Sequence, residues 1–127
     1  MAKLDAIGIV TQDMAAALRF YGLLGVAVPT DQAHEQHVEA TLESGVRLMW
    51  DTQEFVKTMD SGWVKPVGQR SSLAFLCESP ADVDATYASV IAAGFEGHKA
   101  PWDAFWGQRY AVVTDPDGNH VDLFAAL

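Results

Sequence analysis

Two stretches of the chain repeat one hydrophobic pattern. Ala6-Ile7-Gly8-Ile9-Val10 and Ser72-Leu73-Ala74-Phe75-Leu76 are apolar runs of strand length, and each leads through polar residues into helically spaced apolar positions. Sliding the chain so that Ile7 meets Leu73 also lays Ile9 on Phe75 and Tyr21 on Tyr87. The first helix is expected to open near Asp13, an N-cap type. It places Met14, Ala17, Leu18, Tyr21 and Leu24 on one face and stops at Gly25. The second opens with Ser79-Pro80-Ala81-Asp82, which has the form of a capping box with proline at the first helical position. It carries Val83, Tyr87, Val90 and Ile91 and stops at Gly94.

Strand character follows each helix, at residues 26–28, 37–42 and 46–51 in the first half and at 97–100, 108–114 and 120–125 in the second. Each half therefore reads βαβββ. Glu43-Ser44-Gly45 and Asp115-Pro116-Asp117-Gly118-Asn119 are expected to be turns, with glycine or asparagine free to take positive φ. Asp115-x-Asp117-Gly118 lacks the third oxygen ligand and the closing Glu of a calcium loop, so it reads as structural. Residues 52–70 and 101–107 show no periodicity and are expected to be long loops of the kind that form lids or binding surfaces.

At 127 residues the chain suits a single domain (1–127) whose internal repeat comprises modules 1–60 and 70–127. Lys plus Arg number 8 against 17 Asp plus Glu, a formal charge of −9, which argues against nucleic acid or an anionic membrane as partner. On that balance a neutral or cationic ligand fits better than an anion. No apolar run reaches the roughly 18 residues of a membrane span, and the first residues lack a signal-peptide core, so a cytoplasmic location is expected. Cys77, the single cysteine, closes an apolar run and reads as an inert core thiol.

Candidate chemistry concentrates in aromatic and basic residues. Trp102, Phe105 and Trp106 crowd the segment 101–107, Trp63 lies in the other aperiodic stretch, and Trp50 ends a strand. Such rings expose apolar surface unless a ligand or another surface covers them. Arg109 follows the aromatic segment directly, and Arg47 alternates onto one face with Met49 and Asp51; either could orient a polar ligand group. His120 and Asp122 share a face of the last strand by the same period of two, and could serve as an acid/base pair.

A duplicated βαβββ unit resembles the vicinal oxygen chelate superfamily, which spans glyoxalase I, bleomycin-resistance proteins, fosfomycin-resistance enzymes and extradiol dioxygenases. The residues that carry the resemblance are 4–10 with Asp13 and Phe20-Tyr21-x-x-Leu24-Gly25, then Leu73-Ala74-Phe75 with Asp82-Val83-Asp84, and finally the run from Asp115 to Leu123. It implies an α+β fold in which two βαβββ modules form an open half-barrel cleft. Metal-dependent members carry His on the first strand and Glu on the last strand of each module. Those places fall here on Ala6, Met49 (or Asp51), Ser72 and Asp122, of which only the last is a good hard-metal ligand.

The resemblance is therefore to the metal-free, antibiotic-sequestering branch, with no cofactor. Its expected ligand is a hydrophobic aromatic small molecule of the bleomycin, anthraquinone or enediyne type. The expected ligand-binding set is Trp102, Trp106, Arg109, Met49, Trp63, Ser72, Arg47, Trp50, His120 and Asp122. A homodimer is implied. The alternatives are a glyoxalase- or dioxygenase-type enzyme with an atypical metal site, an acid/base isomerase or lyase using His120 and Asp122, and a dimer with no small ligand.

Overall fold

Ile7 and Ile9 start the first strand because β-branched residues suit a pleated, half-buried surface, and β1 runs over Ala6–Thr11. Asp13 caps α1 (Met14–Leu23), its side chain accepting from the Ala16 amide at 3.0 Å. The helix ends where Gly25 takes a φ of 93°, a left-handed conformation open to glycine at no steric cost. Met14, Ala17, Leu18, Phe20 and Tyr21 are its buried residues. Strands β2 (His37–Thr41) and β3 (Arg47–Thr52) follow, joined by a tight turn at Gly45 with φ 89°. A short helix, α2 (Gln53–Met59), is capped by the Thr52 hydroxyl, which accepts from Phe55 N.

The second unit repeats the plan. It comprises β4 (Leu73–Leu76), α3 (Pro80–Ala92), β5 (Glu96–Ala104), β6 (Gln108–Thr114) and β7 (His120–Ala126). Ser79 caps α3 by accepting from Asp82 N at 3.1 Å, and Pro80 opens the helix. At the β6–β7 turn the buried Asp115 carboxylate accepts from the backbone amides of Asp117 and Asn119 and from the Asn119 side chain. That carboxylate is spent on holding the turn.

This computed structural model describes all 127 residues and divides them into two compact units, Met1–Pro66 and Val67–Leu127. The first holds a three-stranded sheet in the order β1-β3-β2, the second a four-stranded sheet in the order β4-β7-β6-β5. In both, the unit's first strand pairs parallel with its last, and every other pairing is antiparallel. The fold is α+β with two mixed sheets and three helices, and neither sheet closes into a barrel. No helix is long and apolar enough to cross a membrane.

Three expectations change. Residues 26–28 form no strand, so the first unit lacks the counterpart of β5. Pro29 follows directly and offers no N–H to a ladder. The expected loop 101–107 is largely strand: β5 runs through Pro101 and Trp102 to Ala104, and only a tight turn at Phe105-Trp106-Gly107 separates it from β6. Proline is tolerated there because β5 is an edge strand, and the register shifts on either side of Lys99 take up the irregularity. The aperiodic stretch 52–70 contains α2, none of whose residues is buried, so no apolar stripe announced it.

Candidate functional site

Alternation along each strand decides which side chains reach an open face. In the first unit Leu48 and Trp50 are buried on one side of β3, while Arg47, Met49 and Asp51 are half-buried on the other. His37 lies opposite Asp51 in the β2–β3 register, and Gly8 of β1 lies opposite Met49. The polar groups of this face pair with one another. His37 Nδ1 lies 2.5 Å from Asp51 Oδ1 and its Nε2 2.7 Å from Glu39 Oε2. Arg47 donates to Glu39 at 2.7 Å and to Asp5 at 2.6 Å.

The Glu39 and Asp51 carboxylates raise the His37 pKa above its ordinary 6.5, with Glu39 the larger cause. Hydrogen bonds from His37 and then Arg47 hold Glu39 below its ordinary 4.5. A raised histidine contributes stability that is complete below 6.5 and fades as pH climbs through the folded value. A lowered glutamate contributes above 4.5 and fades as pH falls through its own folded value. The stability difference between the parent and His37→Asn is therefore expected to be largest between pH 4.5 and 6.5 and to shrink at higher pH. Thermal melts of both proteins across pH 4–9 check this, and a difference that stays flat over that range counts against an ionic role.

In the second unit the core side of the sheet carries Ala111, Val113, Val121, Leu123 and Ala125 against α3, whose Val83 and Val90 are fully buried. The opposite face is ordered in cross-strand rows. Lys99, Val112, Asp122 and Ala74 align through the register of β5, β6, β7 and β4. In the adjacent row stand Trp102, Tyr110, Phe124 and Leu76. The first row carries the charged pair Lys99 and Asp122 among small apolar residues, and its neighbour carries three aromatic rings.

The aromatic row is a contact network. Trp102 lies 5.4 Å from Tyr110 and 6.1 Å from Trp106, and Trp106 lies 5.4 Å from Tyr110, all edge to face. Tyr110 stacks on Phe124 at 6.2 Å. Phe105 adds a ring 5.1 Å from Trp106 and is 96% exposed. The Trp106 indole N–H donates to Gln108 at 2.8 Å, which fixes that ring's orientation. The Lys99 ammonium sits 3.9 Å over the Trp102 ring.

Tyr110 links the two rows by donating its hydroxyl to Asp122 Oδ2 at 2.5 Å. Burial, reinforced by Asp122, pushes its phenol up to about 12, so it remains a donor at any physiological pH. Beyond Asp122, the rings of His98 and His120 stack at 4.1 Å. These residues, with Arg70, Ser72 and Lys99, line an open pocket of about 450 Å³.

The structure thus gathers Ser72, His120 and Asp122 into one pocket, and Trp102 and Trp106 beside it. Trp50, expected among the ligand contacts, is instead a core residue: it has no accessible surface and packs against Tyr21 at 5.5 Å, because period two turns it to the α1 side when Met49 faces the other way. Arg109 departs from the expected set as well. Its neighbour Tyr110 takes the open face, so Arg109 turns away and donates to Asp84 of α3 at 2.9 Å and to Asp103 at 3.1 Å. Trp63 lies in the first unit, half-buried, with Lys57 5.8 Å from its ring centre. Arg47 and Met49 do share an open face, although Arg47 is engaged by its two carboxylates.

Arg70, His98, Lys99, Tyr110 and Phe124 also stand at the pocket or in the aromatic row, and were not among the expected ligand contacts. Phe124 was accessible from period two along the strand of Asp122; the others needed the strand pairing. Cys77 is half-buried, and desolvation raises its thiol pKa, which leaves little thiolate to react.

Residues 3–123 match the Glyoxalase/Bleomycin resistance protein/Dioxygenase superfamily, and the chain belongs to it. The fold recurs in a glyoxalase/bleomycin resistance protein/dioxygenase family enzyme from Burkholderia phytofirmans, at TM-score 0.85 and 23% identity, covering 99% of this chain and 100% of that one. It recurs in a glyoxalase-related enzyme from Fulvimarina pelagi at TM-score 0.80 and 20% identity, over 98% and 88% of the two chains. A lactoylglutathione lyase from Agrobacterium tumefaciens aligns at TM-score 0.69 and 17% identity, over 98% and 94%. A search of curated proteins returned no match.

Some members of the superfamily carry a metal, and the residues at the corresponding places here do not fit one. Ala6 has no donor, Met49 offers a soft thioether, and Ser72 is a weak neutral ligand. Asp51 is paired with His37, and one Asp122 oxygen is held by Tyr110. No group of three His, Cys, Asp or Glu side chains is arranged to hold a metal ion.

Proposed function

We propose that this protein binds and sequesters a flat, hydrophobic aromatic small molecule without a metal, the activity of the antibiotic-binding branch of its superfamily. The observation that carries the reading is the row of Trp102, Tyr110 and Phe124 on the open sheet face, extended by Trp106 and the exposed Phe105. An exposed ring of this size can bury about 150–250 Å² against a ligand, and offset or edge-on contact between rings adds to that. Small side chains next to the row, Ala74 and Val112, leave room for a planar compound. The fixed Trp106 indole and the Tyr110–Asp122 bond hold the surface in one arrangement before a ligand arrives, which lowers the ordering cost of binding.

Titration of chelator-treated protein with an anthraquinone, followed by tryptophan fluorescence, tests the proposal. Saturable quenching at one ligand per chain, unchanged by added zinc, nickel or iron, is the expected result. Binding or turnover that appears only when a divalent metal is restored overturns it in favour of a lyase or dioxygenase. Sedimentation of the same samples decides whether the homodimer implied by the family resemblance forms.

A further inference from the structure

We propose that the pocket beside the aromatic row takes an anionic group, so that the ligand is an aromatic acid whose carboxylate enters the pocket while its ring lies against the aromatic row. The inference rests on the binding function proposed above and adds the charge of the ligand to it.

The distribution of charge carries it. Acidic residues outnumber Lys plus Arg by 17 to 8, yet this pocket gathers Arg70, Lys99, His98 and His120 around a single acid, Asp122. That acid already accepts the Tyr110 hydroxyl. Arg47 and Arg109 show what the protein does with a structural cation, since each is held by two carboxylates. Arg70 and Lys99 have no carboxylate partner.

The placement of these donors is built into the fold. Gln69 donates to Gly118 O at 2.6 Å and accepts from His120 N at 3.2 Å, which ties the segment before β4 to the start of β7 and brings the neighbouring Arg70 into the pocket lining. Lys99 stands at the junction of the two rows, its ammonium 3.9 Å from the Trp102 ring centre, so one side chain touches both the charged pocket and the stacking surface. A guanidinium fork matches a carboxylate in two parallel hydrogen bonds, and imidazole N–H groups and the Ser72 hydroxyl complete the donor set.

The overall charge of −9 does not oppose this at close range, because exposed charges beyond about 8 Å are largely screened at physiological salt. The pocket's volume, about 450 Å³, lies within the usual range for small-ligand sites. Net charge by itself favours a neutral or cationic ligand; the placement of the few cations is what supports an anionic one under this proposal.

The test compares naphthalene-2-carboxylate with its neutral isostere naphthalene-2-carboxamide, by fluorescence titration of the full chain. The carboxylate is expected to bind about tenfold or more tighter, the scale of a charge-assisted contact. Arg70→Ala is expected to cost the carboxylate more affinity than the carboxamide, so that the gap between them closes, with melting temperature unchanged. Equal affinity for the two compounds in the parent overturns the anion pocket and leaves aromatic binding standing. If neither compound binds, the aromatic reading falls, and inorganic phosphate then judges the pocket alone by NMR. Shifts of the His98 and His120 side-chain signals that vanish in Arg70→Ala retain the anion site, and no shift overturns it.

Discussion

Replacing Trp50 by alanine is expected to lower the stability of the protein by about 3–5 kcal/mol, the cost of emptying a large aromatic site in a packed core. Trp50 has no accessible surface, pairs across the sheet with buried Ile9 and Val38, and lies 5.5 Å from the buried Tyr21 ring. Few neighbours can collapse into the space, because those on both flanking strands are held by ladder hydrogen bonds. At several degrees per kcal/mol, a fall in melting temperature of roughly 10 °C or more follows. Trp50→Phe is expected to cost much less. It keeps most of the apolar volume and removes an indole N–H that has no hydrogen-bond acceptor in the protein. Urea and thermal unfolding measure both, and a Trp50→Ala protein within about 1 kcal/mol of the parent would show that this side of the sheet is not the core.

The second large effect concerns binding. Trp102→Ala is expected to weaken a planar aromatic ligand by roughly 2 kcal/mol or more, a loss beyond tenfold in affinity, with little change in melting. Trp102 is half-buried among Trp106, Tyr110 and Lys99, so its removal opens the aromatic row without cutting into the α3-facing core. Trp106→Ala should act in the same direction, since that ring is 49% exposed and its nitrogen is satisfied locally by Gln108. Titration and melting of the same samples separate the two roles of these rings. If melting falls first while affinity holds, the row stacks for the sake of the hairpin and the ligand lies elsewhere.

Much of this fold was legible in the chain because its signals are local. Asp13 and Ser79 each announce a helix start with a side-chain oxygen three residues from the amide it caps. Gly25 and Gly94 announce the ends by adopting φ near 90°. The alternation along β7 placed His120 and Asp122 on one face, where they are found, because strand geometry leaves a side chain only two directions.

The same alternation, without a partner strand or helix to say which side is the core, could not sort neighbours correctly. It left Trp50 and Arg109 among the ligand contacts; α1 claims the one, and Asp84 of α3 the other. The aromatic segment read as a loop since Pro101 is a local breaker, yet an edge strand needs no inward N–H at that position and accommodates it.

The duplicated unit, its helix caps and turns, and the excess of acidic residues are properties of spacing and composition, and they can be read along the chain. Which cations remain without a carboxylate emerges only once strands and helices are packed. Arg47 and Arg109 are met by acids from distant parts of their own units, while Arg70 and Lys99 converge on one pocket and are left open. Pairing of charges depends on distances between strands and helices far apart in the chain, and no count along the sequence contains those distances.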